Sequence, residues 1–67
     1  MVTMTAEQMQ AHARESLLMV CDRKGWTDTD KWTYAAECLV TAGVDRQEAH
    51  KVARDVWRER FETWEAN

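Results

Sequence analysis

The sequence predicts an all-α fold, a compact three-helix bundle, on three observations. Proline is absent, and the two glycines, Gly25 and Gly43, stand where helices should stop. Shortly after each glycine comes a cluster that starts a helix: Thr27-Asp28-Thr29-Asp30 after the first and Asp45 after the second. Between these marks the apolar residues recur at the three- and four-residue spacing of one helix face.

The first helix is expected over residues 6–24. Thr5 is its N-cap, Gln8 completes a reciprocal capping box, and Met4 can staple onto Met9. At about 100° per residue, Ala6, Met9, Ala13, Leu17 and Val20 share a face. Leu18 and Met19 fall off that stripe and are candidates for contact with another helix or a partner. Gly25 supplies the left-handed residue that ends the helix, with Trp26 folding back near Cys21.

The second helix is expected over residues 28–42. Thr27 or Asp28 caps it, and the acidic first turn complements the helix dipole. Trp32, Ala35, Ala36 and Leu39 form its inner face. At Ala42-Gly43-Val44-Asp45 the stop of this helix overlaps the start of the next: Val44 packs back, Asp45 caps, and Glu48 is placed to close another box.

The third helix is expected over residues 45–64. Its first half turns Ala49, Val52, Ala53 and Val56 inward. Its second half carries Trp57, Phe61 and Trp64 on a stripe rotated by roughly 100°. Two such faces cannot both point at one small core. The aromatic stripe therefore either closes the bundle against the first helix or forms an exposed ridge, and Arg54 and Arg58 border it. An aromatic ridge flanked by arginines has the composition of an interface hot spot.

Length explains why the aromatics matter. At 67 residues the chain holds one domain, residues 1–67, and a domain of this size buries only about 60% of the surface its unfolded form exposes. Its core is expected to supply no more than roughly 3–5 kcal/mol. The four tryptophans are the means by which so short a chain builds a core or a binding face.

Charge narrows the partners. The net charge is −3, with 12 acidic against 9 basic residues, which disfavours a mainly electrostatic grip on nucleic acid or on an anionic membrane. The third helix nevertheless holds five of the nine cations: Arg46, Lys51, Arg54, Arg58 and Arg60. Pairs such as Lys51 with Asp55, four residues apart, would hold part of this face internally. No stretch approaches the ~20 apolar residues of a membrane span, and no secretory leader is evident, so a cytoplasmic protein is expected. In an antiparallel hairpin Cys21 and Cys38 differ in height by roughly 9 Å, too far for a disulfide, so both are expected as reduced, half-buried thiols.

No catalytic, metal or cofactor motif is present. His12 and His50 lie in different helices without partners at metal spacing, and the sequence holds no Cys-x-x-Cys, phosphate loop or His-Glu-x-x-His. The chain is read as a non-enzyme that needs no cofactor.

Two resemblances remain. Gly43, Val44, Ala49 and Val52 resemble the turn and second helix of a helix-turn-helix, which implies a DNA-reading face made of Arg46, Gln47, His50 and Lys51. The sequence departs from that family in having Leu39 where a small alanine is usual, and in placing Asp45 and Glu48 close to the phosphates. In size and charge the chain resembles the small acidic inhibitors and regulators of phages and other mobile elements, anti-CRISPR proteins among them. The leading expectation is a protein-binding module that docks on a larger protein through Arg54, Trp57, Arg58, Phe61 and Trp64, with a homodimer through the same ridge as a nested form. A helix-turn-helix-like DNA-binding regulator is the alternative.

Overall fold

The computed structural model describes residues 4–62. It contains α1 (Ala6–Val20), α2 (Asp28–Thr41) and α3 (Arg46–Val56), and α3 runs on into a π-helical segment, Trp57–Glu62. This is the all-α three-helix bundle that the sequence predicts.

Local chemistry sets the helix starts. Thr5 and Gln8 exchange backbone-to-side-chain hydrogen bonds of 2.9 and 3.1 Å, a reciprocal box that opens α1. Thr27 and Asp30 repeat it at the head of α2, at 3.0 and 3.1 Å. The cap of α3 is one-sided. Asp45 accepts from the amides of Gln47 and Glu48, but Glu48 does not return the bond as expected.

The joint between α2 and α3 is a full Schellman turn. The Gly43 amide donates to the Val40 carbonyl and the Val44 amide to the Leu39 carbonyl, both at 3.0 Å. Gly43 has φ +104°, a conformation that side-chain-bearing residues rarely adopt. Val44 then packs against the core, as the motif requires.

Two helix ends differ from expectation. The first helix stops at Val20 and not near residue 24, because the last carbonyls find other donors. Val20 accepts from the Arg23 amide at 3.0 Å, and Cys21 accepts from the Lys31 ammonium of α2 at 2.8 Å. In a longer helix the Cys21 carbonyl would have bonded to the amide of residue 25. Gly25 still takes a left-handed conformation, φ +87°, but within the connection and not at the helix end. The third helix keeps α geometry only to Val56, and residues 63 and 64 of its expected span lie outside the described residues.

The core is built of small residues around one large one. Ala13, Ala35, Ala36, Ala49 and Ala53 are fully buried together with Leu17 and Leu39. Alanines on all three helices let the backbones approach closely, and Trp57 fills the space that remains. Ser16 is also buried, and its hydroxyl donates to the His12 carbonyl at 3.0 Å, which removes the cost of burying it.

The π segment resolves the conflict between the two faces of the third helix. In unbroken α geometry Phe61 would point roughly 80° away from Ala53. A wider i→i+5 turn advances less per residue, so it swings Phe61 back over the core stripe. Trp57 and Phe61 then stack at 5.4 Å with ring planes 8° apart, both buried.

Candidate functional site

Of the two places open to the aromatic stripe, Trp57 and Phe61 take the closed one, in the core, and the docking role expected of them as an exposed ridge is corrected. These two side chains are 2% and 8% exposed, so they form no exposed ridge, and Phe61 shows only an edge of its ring. Trp64, the third member, lies outside the described residues. The two arginines expected beside the ridge, Arg54 and Arg58, are exposed.

What the bundle does present is the outer side of α3. Gln47, Lys51 and Arg54 fall within about 60° of one another on the helix, opposite the buried Ala49, Ala53 and Val56. His50 borders them, half-buried, with its ring edge-on to Trp32 of α2 at 5.9 Å and an interplanar angle of 86°. Together Trp32, Gln47, His50, Lys51 and Arg54 line a cleft of about 210 Å³ between α2 and α3.

Among the described residues no carboxylate lines this cleft. Lysine, arginine and the tryptophan indole are donors only, and glutamine and histidine can each donate as well. Neither Lys51 nor Arg54 has an ion-pair partner among the described residues, and the expected Lys51–Asp55 pair does not form. The cleft is therefore a basic, donor-rich surface with an aromatic wall, on a chain of net charge −3. Chemically it suits an anionic group presented beside an apolar one.

Arg46 is drawn elsewhere. Its guanidinium pairs with the Glu37 carboxylate of α2, an exposed ion pair that spans the α2–α3 joint. Of the residues suggested by the helix-turn-helix resemblance, Gln47, His50 and Lys51 thus converge in the cleft and Arg46 does not. Arg54, from the protein-docking set, joins them. Trp32 was expected only as an inward residue of the second helix, since a ring contact across two helices leaves no spacing signal in the sequence.

Comparison with protein-family models, curated proteins and solved structures finds no match to this chain.

The remaining features are structural. Trp26 packs edge-on to Tyr34 at 6.1 Å, with the Arg23 guanidinium 5.2 Å over its ring, so it closes the α1–α2 connection against α2. Cys21 and Cys38 are free and half-buried. The Cys38 thiolate charge and a hydrogen bond to the same thiol, together with slight desolvation, push the Tyr34 phenol above its ordinary value of 10.0. Among the described residues no three His, Cys, Asp or Glu side chains converge on a metal position, and no helix is long and apolar enough to cross a membrane.

Proposed function

We propose that this chain is a non-catalytic protein-binding module that docks the outer side of α3 on an acidic surface of a larger protein. The observation that carries the reading is the carboxylate-free cleft of Trp32, Gln47, His50, Lys51 and Arg54, whose two cations are unpaired among the described residues. Leaving Lys51 and Arg54 without internal partners makes sense where a partner supplies the carboxylates, because charge complementarity steers encounter and fixes orientation. Arg58, one turn further along, extends the same basic side. The helix is capped and packed before binding, so little conformational entropy is lost on docking.

A protein partner fits better than a nucleic acid. The stripe is bordered along one side by the exposed Glu48 and Asp55, which would face phosphates in a groove but can meet cations on a mixed protein surface. The net charge of −3 also opposes the long-range attraction on which nucleic-acid binding depends. In this reading the chain works in the cytoplasm as an inhibitor or regulator, of the kind encoded by phages and mobile elements and including anti-CRISPR proteins, and acts by occluding the acidic site it covers.

The test is affinity capture from host lysate with wild type and with Lys51→Glu/Arg54→Glu, each with and without nuclease. The reading expects a nuclease-resistant protein partner that the charge-reversed variant loses. A second reading, DNA binding, draws on the convergence of Gln47, His50 and Lys51 at the start of a helix that follows a Schellman turn. Titration with random duplex at low salt separates the two: salt-dependent binding lost on Lys51→Ala favours DNA.

A further inference from the structure

We propose that the outer side of α1 is a self-association surface whose occupant is a second copy of this chain. It shares no residue with the α3 cleft and does not depend on the function proposed above.

A groove of about 300 Å³ runs between α1 and the π segment, lined by Arg14, Leu18, Cys21, Arg60 and Phe61. Phe61 and Leu18 give it an apolar floor and wall, and the two arginines supply cationic rims. Such a groove takes an apolar side chain flanked by carboxylates. That is what stands next to it: Leu18 and Met19 are 59% and 68% exposed, the large apolar side chains left uncovered on the described surface, and the exposed Glu15 and Asp22 flank them. The knob and one wall of the groove lie on α1 and the π segment forms the other wall, so the patch holds both halves of a two-fold interface.

The register follows from the charges. When two α1 helices pair antiparallel about Leu18, Arg14 stands one turn before the axis within α1 and Asp22 just past the helix end, in the turn after Cys21. Arg14 of each copy is then brought toward the end of the other's α1, where Asp22 stands. Two such exposed pairs add little affinity but fix orientation, while insertion of Met19 into the opposing groove, beside the two Leu18 side chains at the axis, supplies the driving force. Association would also cover apolar surface that a chain this short cannot bury alone.

Sedimentation of the full chain under reducing conditions, from low micromolar to millimolar concentration, tests the proposal. Wild type is expected to show a monomer–dimer equilibrium. Met19→Glu and Leu18→Glu should each weaken it at least about tenfold. Arg14→Asp and Asp22→Arg should each weaken it too, and the double variant should regain most of the loss, with far-UV circular dichroism confirming that every variant is folded. A wild type that stays monomeric throughout, a dimer indifferent to both glutamate variants, or a double charge swap no tighter than its parents overturns the proposal.

Discussion

Lys31 donates its ammonium hydrogen bond to the carbonyl of Cys21 at 2.8 Å, so a residue in the first turn of α2 caps the C-terminus of α1. The same ammonium lies 5.5 Å from the centroid of the Trp57 ring, and the side chain is only 6% exposed. One cation thus ties the ends of α1 and α2 to the core tryptophan of the third helix, at the negative end of the α1 dipole. A charged hydrogen bond is worth roughly 1.5–3 kcal/mol, and a desolvated cation–π contact adds about 1–2. Lys31→Met keeps most of the apolar stem and is expected to cost about 2–3 kcal/mol in urea unfolding. A loss under about 0.5 kcal/mol would show that the cap is incidental.

Trp57 carries a second consequence. Its indole Nε1 is buried without a hydrogen-bond partner among the described residues. An unsatisfied buried donor costs about 1–3 kcal/mol, which offsets part of what the ring gains by burial. Trp57→Phe is therefore expected to change stability by no more than about 1.5 kcal/mol. Trp57→Ala should cost about 3–5 kcal/mol, enough to unfold most of so small a domain. Thermal and urea unfolding followed at 222 nm separate the two variants.

At the α2–α3 joint, Gly43 and Asp45 stabilise by different means. A Cβ added at Gly43 would meet no atom within 4 Å, so Gly43→Ala is limited by its φ of +104° and not by crowding. The expected cost is about 1–2 kcal/mol. Asp45→Ala frees the amides of Gln47 and Glu48 and should cost about 0.5–2 kcal/mol. The two sites form one turn, so the double variant should lose less than the sum, which chemical denaturation of all four proteins would measure.

Tyr34 gives a spectroscopic report on the α2 surface. It is the single tyrosine, so phenolate absorbance reads it alone. The Cys38 thiolate raises its titration above 10.0, and Cys38→Ser, which removes that charge, is expected to bring it back down. A phenol whose folded pKa is raised contributes stability that is whole below the unfolded value of 10.0 and is lost as pH rises through the folded value. The wild type, but not Cys38→Ser, should therefore show this extra alkaline loss.

These contacts mark what the sequence makes legible. Caps and stops act over a few neighbouring residues, so the Thr5–Gln8 box, the start of α2 at Thr27 and the Schellman turn at Gly43 are all readable from local spelling. The early end of α1 is not, because the donor that causes it comes from Lys31, ten residues on and in another helix. The place of Trp57 and Phe61 was set by a wider helical turn that no 3.6-residue wheel contains. The basic character of α3 was visible as composition, but the cleft required Trp32 and His50 to meet across two helices.

The proposed docking of Lys51 and Arg54 on an acidic protein surface can be tested on the intact chain. Its most direct measurement is parallel affinity capture by wild type and by Lys51→Glu/Arg54→Glu, with nuclease present and circular dichroism matched. Wild type is expected to retain a protein partner that rising salt releases and that the double reversal weakens at least about thirtyfold. A partner held equally by both proteins, or a capture that nuclease abolishes, would contradict it.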